Sequence, residues 1–166
     1  MTLSAIVEEL KPFATARPAA ADAAPAEPAA AQAATPAAGE VSYAAKGYHA
    51  DVTVTPASVV SAAEVLLRNE FLIEAVTGVD WIQDGQFEVV YDFFHISEGC
   101  RVVLRLRVSR DAPEAPTISG VFAGAEWHER ETHDFFGIKF TGLKNLGPFL
   151  LPEDATFHPL RKDYAP

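Results

Sequence analysis

The chain has 166 residues, with 23 acidic against 13 basic side chains, a formal charge of −10 and a pI near 4.8. That balance argues against nucleic acid or an anionic lipid surface as a partner, since both attract basic proteins. Its one cysteine, Cys100, excludes an internal disulfide and a four-thiolate iron–sulfur cluster, and fits a reducing compartment.

No apolar run approaches the roughly 18–20 residues needed to span a bilayer. The opening MTLSAIVEELKPF has no basic region ahead of its apolar stretch, so it does not read as a signal peptide. Residues 1–13 are expected to hold a short helix, with Ser4 as N-cap, Ala5, Ile6 and Leu10 as its apolar side and Pro12 as its end. So short a helix needs a surface to dock on. Residues 14–40 are mostly alanine and proline and read as a semi-extended linker, either a plain spacer or a tether for the first helix.

The folded domain is expected over residues 41–140. Tyr48–Thr55 alternates as a strand, and Pro56–Asn69 reads as a helix with Thr55 as N-cap. Phe71–Trp81 and Phe87–Ile96 read as strands joined through the turn signal Asp84-Gly85. Arg101–Ser109 has the clearest alternation: Val102, Leu104, Leu106 and Val108 on one side, Arg101, Arg105, Arg107 and Ser109 on the other. Glu88 and Asp92 are the expected cross-strand partners of those arginines.

The charged stretch Ala125–Phe140 follows. If a helix runs unbroken through Gly120 and Gly124, Ile118, Val121, Phe122 and Ala125 share a face with Glu129, Thr132 and Phe136. A carboxylate there calls for a basic partner. His128 and His133 lie five apart and diverge by roughly 140°, unlike zinc-protease histidines. Glu129 and Glu131 point roughly 160° apart, so they cannot flank one substrate. The charges are expected to position the helix and the tail.

No phosphate loop, dinucleotide fingerprint or nucleophile elbow occurs, and Cys100 has no evident base beside it, although Arg101 is placed to lower its pKa. No catalytic, cofactor-binding or metal-binding residue is assigned. Residues 141–166 form an extended arm rich in glycine and proline, whose apolar side chains need a surface to bury against. His158 is expected to order it by hydrogen bonding. The fold class is α+β: a mainly antiparallel sheet with helices packed on one face, plus the extended C-terminal arm.

Glu129-Arg130-Glu131, Asp134, Phe136-Gly137-Ile138, Phe140 and Gly142 resemble the signature of the 30-kDa (NuoC-type) subunits of respiratory complex I. Leu150-Leu151-Pro152 and His158-Pro159-Leu160-Arg161-Lys162-Asp163 resemble that family's second signature, and Val76–Asp80 its first strand. Related energy-converting hydrogenases and formate hydrogenlyase-type complexes share the pattern. Where the family often has Gly-His, this chain has Gly142-Leu143, so no role of that histidine carries over.

The resemblance implies a subunit without a cofactor of its own, peripheral on the cytoplasmic side of the inner membrane. Its implied partners are the large quinone-site (NiFe-hydrogenase-like) subunit and the small iron–sulfur subunit. Glu129, Arg130, Glu131 and Asp134 would hold helix and tail in register, with Gly137 ending the helix. Arg161, Lys162 and Asp163 would anchor the tail on the partner. The other class of reading, a free-standing enzyme using the helix carboxylates, would show itself as turnover by the isolated chain.

Overall fold

The computed structural model describes residues 2–16 and 38–165. Most of the expected linker, residues 17–37, lies outside the described residues. The chain forms α1 (Leu3–Leu10), β1 (Ala38–Glu40), α2 (Tyr43–Lys46), β2 (Ala50–Val54), α3 (Val59–Arg68), β3 (Leu72–Trp81), β4 (Gln86–His95), β5 (Cys100–Ser109), β6 (Glu114–Pro116), α4 (Ala125–Phe136) and β7 (Lys139–Thr141).

Strands β1 to β5 make one sheet in the order β1-β2-β5-β4-β3. All its pairings are antiparallel except β2 with β5, which run parallel with Ala50 opposite Val102. That mixed pairing arises because α3, β3 and β4 all intervene between the two strands, giving a crossover instead of a hairpin. Short strands β6 and β7 pair in parallel beside α4.

The alternation of β5 sets the two sides of the sheet. Val102, Leu104, Leu106 and Val108 are buried with Phe87, Phe93, Leu66 and Phe71. α1 joins the same core through Ile6, Val7 and Leu10. Ala5 faces solvent and Val7 takes its place. The end of α1's segment also enters the sheet edge, where Ala14 bridges Val54.

α3 starts later than its sequence suggests. Thr55 is not its N-cap: residues 56–58 form a turn in which the Thr55 N–H donates to Ser58 Oγ at 3.1 Å. Ser58 Oγ in turn donates to the Phe13 carbonyl at 3.0 Å, tying the N-terminal segment to α3.

On the other face Arg105 and Arg107 are largely buried in acid pairs, whereas Arg101 is more exposed and meets Glu74 at 2.8 Å. Arg105 Nε lies 3.0 Å from Asp51, and Arg107 meets Asp84 at 2.9 Å and Glu88 at 3.3 Å. Arg107 also stacks over Trp81. Asp92 is not a direct partner. It sits opposite Val103, and the parallel pairing of β2 brings Asp51 to Arg105 instead.

Candidate functional site

The expected long helix does not run through Gly120 and Gly124. Residues 119–124 form turns, with the Val121 and Phe122 N–H groups both donating to the Ile118 carbonyl at 2.9 Å, and α4 begins at Ala125. Each interior glycine costs a helix about 1 kcal/mol relative to alanine, so two of them favour the turn. Most of the stripe nevertheless holds: Ile118, Phe122, Ala125, Glu129, Thr132 and Phe136 are buried, and Val121 is only partly so.

Glu129 is 0% exposed. Its Oε1 accepts the Ile118 N–H at 2.9 Å and its other oxygen accepts the Thr117 hydroxyl. The basic partner expected from the sequence is absent among the described residues; neutral donors fill its place. Burial therefore pushes the Glu129 carboxyl up to about 7, a rise that the Thr117 and Ile118 donors only partly oppose. Tyr91 on β4 belongs to the same buried region. Its hydroxyl has no hydrogen-bond partner among the described residues, and burial, then the Glu129 charge, raises its pKa well above the ordinary value. A carboxyl poised near neutrality suits proton transfer, but this one is sealed from any substrate.

Asp134, five residues further along α4 and about 140° around it from Glu129, faces the arm. Its Oδ2 accepts three successive backbone N–H groups, from Phe149 at 2.9 Å, Leu150 at 2.7 Å and Leu151 at 3.1 Å. Burial works to raise this carboxyl, but the three donors prevail and hold it below the usual carboxylate range. Arg130 packs against both Trp127 and Phe149, with its guanidinium 5.2 and 5.0 Å from the two ring centres, and the two rings lie 5.2 Å from each other. It donates to the Pro148 carbonyl at 3.1 Å. So α4 uses one acid and one base to grip arm residues 147–151.

The C-terminal end of α4 is closed by the rest of the arm. A helix leaves its last carbonyls unpaired, and here three of them find arm donors. His158 Nδ1 donates to the Asp134 carbonyl at 2.8 Å, the Leu160 N–H to Phe135 at 3.2 Å, and Arg161 Nε to Phe136 at 2.7 Å. Gly137 turns the chain with φ +74°, and a Cβ there would lie 2.5 Å from Arg161 and 2.6 Å from the His158 ring.

Two residues that sequence reading did not single out complete the grip. Asp80 on β3 is buried and held by Arg110 through two contacts of 2.9 Å, and it also accepts the Lys162 N–H at 2.8 Å. Arg110 meets Asp163 at 2.9 Å. Asp80 shares the buried face of β3 with Val76, but both faces of this strand carry apolar residues in the sequence, so alternation alone does not point to it. Arg161, Lys162 and Asp163 thus hold the arm to its own domain. Cys100 is buried, and burial followed by the nearby Glu98 raises its thiol pKa, the opposite of what Arg101 beside it suggests.

The arm folds back and packs Leu143 and Leu146 against the core, but leaves much of its remaining apolar surface uncovered. Leu150 and Leu160 are each 54% exposed, Trp127 on α4 is 53% exposed, and Phe149, Phe157 and Tyr164 are also open. The polar groups of this region meet arm backbone groups or one another, while several apolar side chains of the arm face outward.

A family profile described as "Respiratory-chain NADH dehydrogenase, 30 Kd subunit" matches residues 52–166. The chain belongs to this 30-kDa subunit family. The matched span runs from β2 to the end of the arm and so contains the whole α4–arm assembly; α1 and β1 lie outside it. An NADH-quinone oxidoreductase subunit from Roseiflexus sp. (strain RS-1) is 42% identical over 118 residues, covering 68% of this chain and 67% of that protein. An F(420)H(2) dehydrogenase subunit from Methanosarcina mazei is 38% identical over 91 residues, 54% of this chain and 58% of that protein. Among solved structures, a chain of the membrane-bound sulfane sulfur reductase, an archaeal respiratory membrane complex, superposes with a TM-score of 0.69 at 25% identity, covering 78% of each chain. Within this 30-kDa family fold, no described helix is long and apolar enough to cross a membrane.

Proposed function

We propose that this chain is a non-catalytic peripheral-arm subunit of a proton-pumping NADH:quinone oxidoreductase. It packs against the large quinone-site subunit and the small iron–sulfur subunit and holds them together on the cytoplasmic side of the inner membrane. The observation that carries the reading is the arm: fixed in place by polar contacts to α4, β3 and Arg110, it turns Phe149, Leu150, Phe157 and Leu160 outward. Contiguous exposed apolar surface rimmed by polar groups marks a protein contact. Family membership and the likeness to an NADH-quinone oxidoreductase subunit supply the parent complex.

The test is Leu150→Asp combined with Phe157→Asp in a tagged chain expressed in its parent cell. Burying a leucine or phenylalanine contributes about 1.5–3 kcal/mol each, so recovery of neighbouring subunits should fall at least about tenfold. The melting temperature of the isolated chain should not change. Full recovery of the complex would mean that the arm is solvated and the reading is wrong.

A second reading keeps the shape and changes the parent: the equivalent subunit of an energy-converting hydrogenase or formate hydrogenlyase-type complex. Likeness to an F(420)H(2) dehydrogenase subunit and to a sulfane sulfur reductase chain favours keeping it, because proteins named for different electron carriers share this fold. The subunits that co-purify decide: an NADH-oxidising flavin subunit supports the first reading, hydrogenase subunits the second.

A further inference from the structure

An open groove of about 220 Å³ runs between the edge strand β3 and α4. Val76, Gly78 and Phe136 line it on the core side, with Phe135 and Leu160 beside them and His128 and Glu131 also contributing. Its volume is below the roughly 300–1,000 Å³ typical of small-molecule sites, which suits a side chain better than a cofactor. β3 has β4 on one side and no further strand beyond it among the described residues. Glu131 is half-buried at this groove and, unlike Glu129, Arg130 and Asp134 on the same helix, has no partner among the described residues.

We infer that this groove seats an extended segment of a partner protein. One aliphatic or aromatic side chain of that segment lies beside Phe135 and Leu160, and a lysine or arginine next to it pairs with Glu131. The inference rests on the reading of the chain as a subunit held by contact, and it adds the chemistry of the contact. Three observations select this occupant. Leu160 belongs both to the groove and to the exposed face of the arm, so the groove continues the proposed interface. The chain's formal charge of −10 disfavours a second copy of itself and favours a basic segment. The chain's own residues 17–37 are alanine, proline and small polar or charged residues, with no large apolar side chain to fill the groove.

The experiment places a benzoyl-phenylalanine photocrosslinker at Thr77, which is exposed at the groove, or at Phe157 on the arm, in the tagged full chain in its parent cell. After irradiation the intact complex is isolated and the crosslinked peptides are sequenced. The Thr77 probe should mark a single segment of a neighbouring subunit in which a lysine or arginine adjoins a large apolar residue. Glu131→Lys should lower that crosslink about tenfold through like-charge repulsion, leaving the Phe157 crosslink and the melting temperature unchanged. Crosslinks from Phe157 without any from Thr77 would overturn the groove and leave the subunit reading standing. A Thr77 crosslink to a second copy of this chain, to a segment without a cation, or one indifferent to Glu131→Lys would also overturn it. Silence at both positions would bring down the subunit reading itself.

Discussion

His158 meets Asp134 through the backbone: its Nδ1 donates to the Asp134 carbonyl at 2.8 Å, while the Asp134 carboxylate is turned away to the N–H groups of Phe149, Leu150 and Leu151. One helical residue therefore holds the arm at two places, once through its side chain and once through its main chain. The fixed arm is what turns an irregular, proline-rich tail into a defined surface.

Asp134→Ala removes the acceptor of three N–H groups at once. Hydrogen bonds to a charged group contribute about 1.5–3 kcal/mol each, but freed N–H groups at the half-buried arm regain water, so the expected net loss is about 2–3 kcal/mol. Limited proteolysis should then cut between residues 143 and 151, where the wild-type chain is expected to resist. Asp134→Asn, which keeps an oxygen but not the charge, should fall between the two. Because the folded pKa of Asp134 is depressed, its contribution is complete above the ordinary carboxylate pKa of about 4 and is lost as pH falls through the folded value.

The ion pairs at Arg110 should prove unequal. Asp80 is buried beneath it, whereas Asp163 is about half exposed. Removing one partner of a buried pair costs about 3–5 kcal/mol because the other charge stays buried. Arg110→Ala should therefore destabilise strongly, and Asp163→Ala should leave the melting temperature nearly unchanged while loosening the final residues. Equal losses for the two variants would show that the arm, not Asp80, dominates the effect.

How far the sequence revealed this arrangement depends on how local each signal is. The two faces of β5 and the burial of Glu129 follow from side-chain direction, which periodicity reports directly. What Glu129 meets does not: direction says that a side chain points inward, not whether a cation or a hydroxyl awaits it, and the Thr117 hydroxyl and the Ile118 N–H answer from the irregular segment ahead of α4. The parallel pairing of β2 with β5 joins residues about fifty positions apart, and the Asp51–Arg105 pair depends on it. The arm was legible as extended from its glycines and prolines. Its path over α4 was not, since it is fixed by isolated contacts such as Lys162 to Asp80.

Two glycines should tolerate no side chain. At Gly137 the left-handed backbone disfavours any L-residue by about 1–2 kcal/mol, and a Cβ would strike Arg161 and His158. Gly137→Ala should lower the melting temperature and expose the arm to protease together. At Gly78 the backbone is ordinary, but a Cβ would lie 2.5 Å from the Phe136 ring. Gly78→Ala should cost about 1–3 kcal/mol by overpacking with the arm still protected, because the arm's holds on Asp134 and Asp80 are untouched. Comparing the two digestion patterns separates closure of the helix end from packing of the helix on the sheet.

Glu129 makes stability depend on pH in the reverse sense to Asp134. An unfolded glutamate titrates near 4.5 and the folded one at about 7, so between those values the folded chain binds the extra proton. The stabilisation is complete below the unfolded pKa and is lost as pH rises through about 7. At 1.36 kcal/mol per pKa unit the swing is about 3 kcal/mol. Glu129→Gln keeps an acceptor for the Ile118 N–H and carries no charge, so it should remove that swing. Relative to wild type, the variant should gain stability from pH 5 to pH 8 in urea denaturation. With no cation opposite Glu129 among the described residues, the same variant should assemble normally. A wild-type-minus-variant difference that stays flat across this range, or a complex lost on substitution, would mean that Glu129 is charged in the fold and paired with a cation after all.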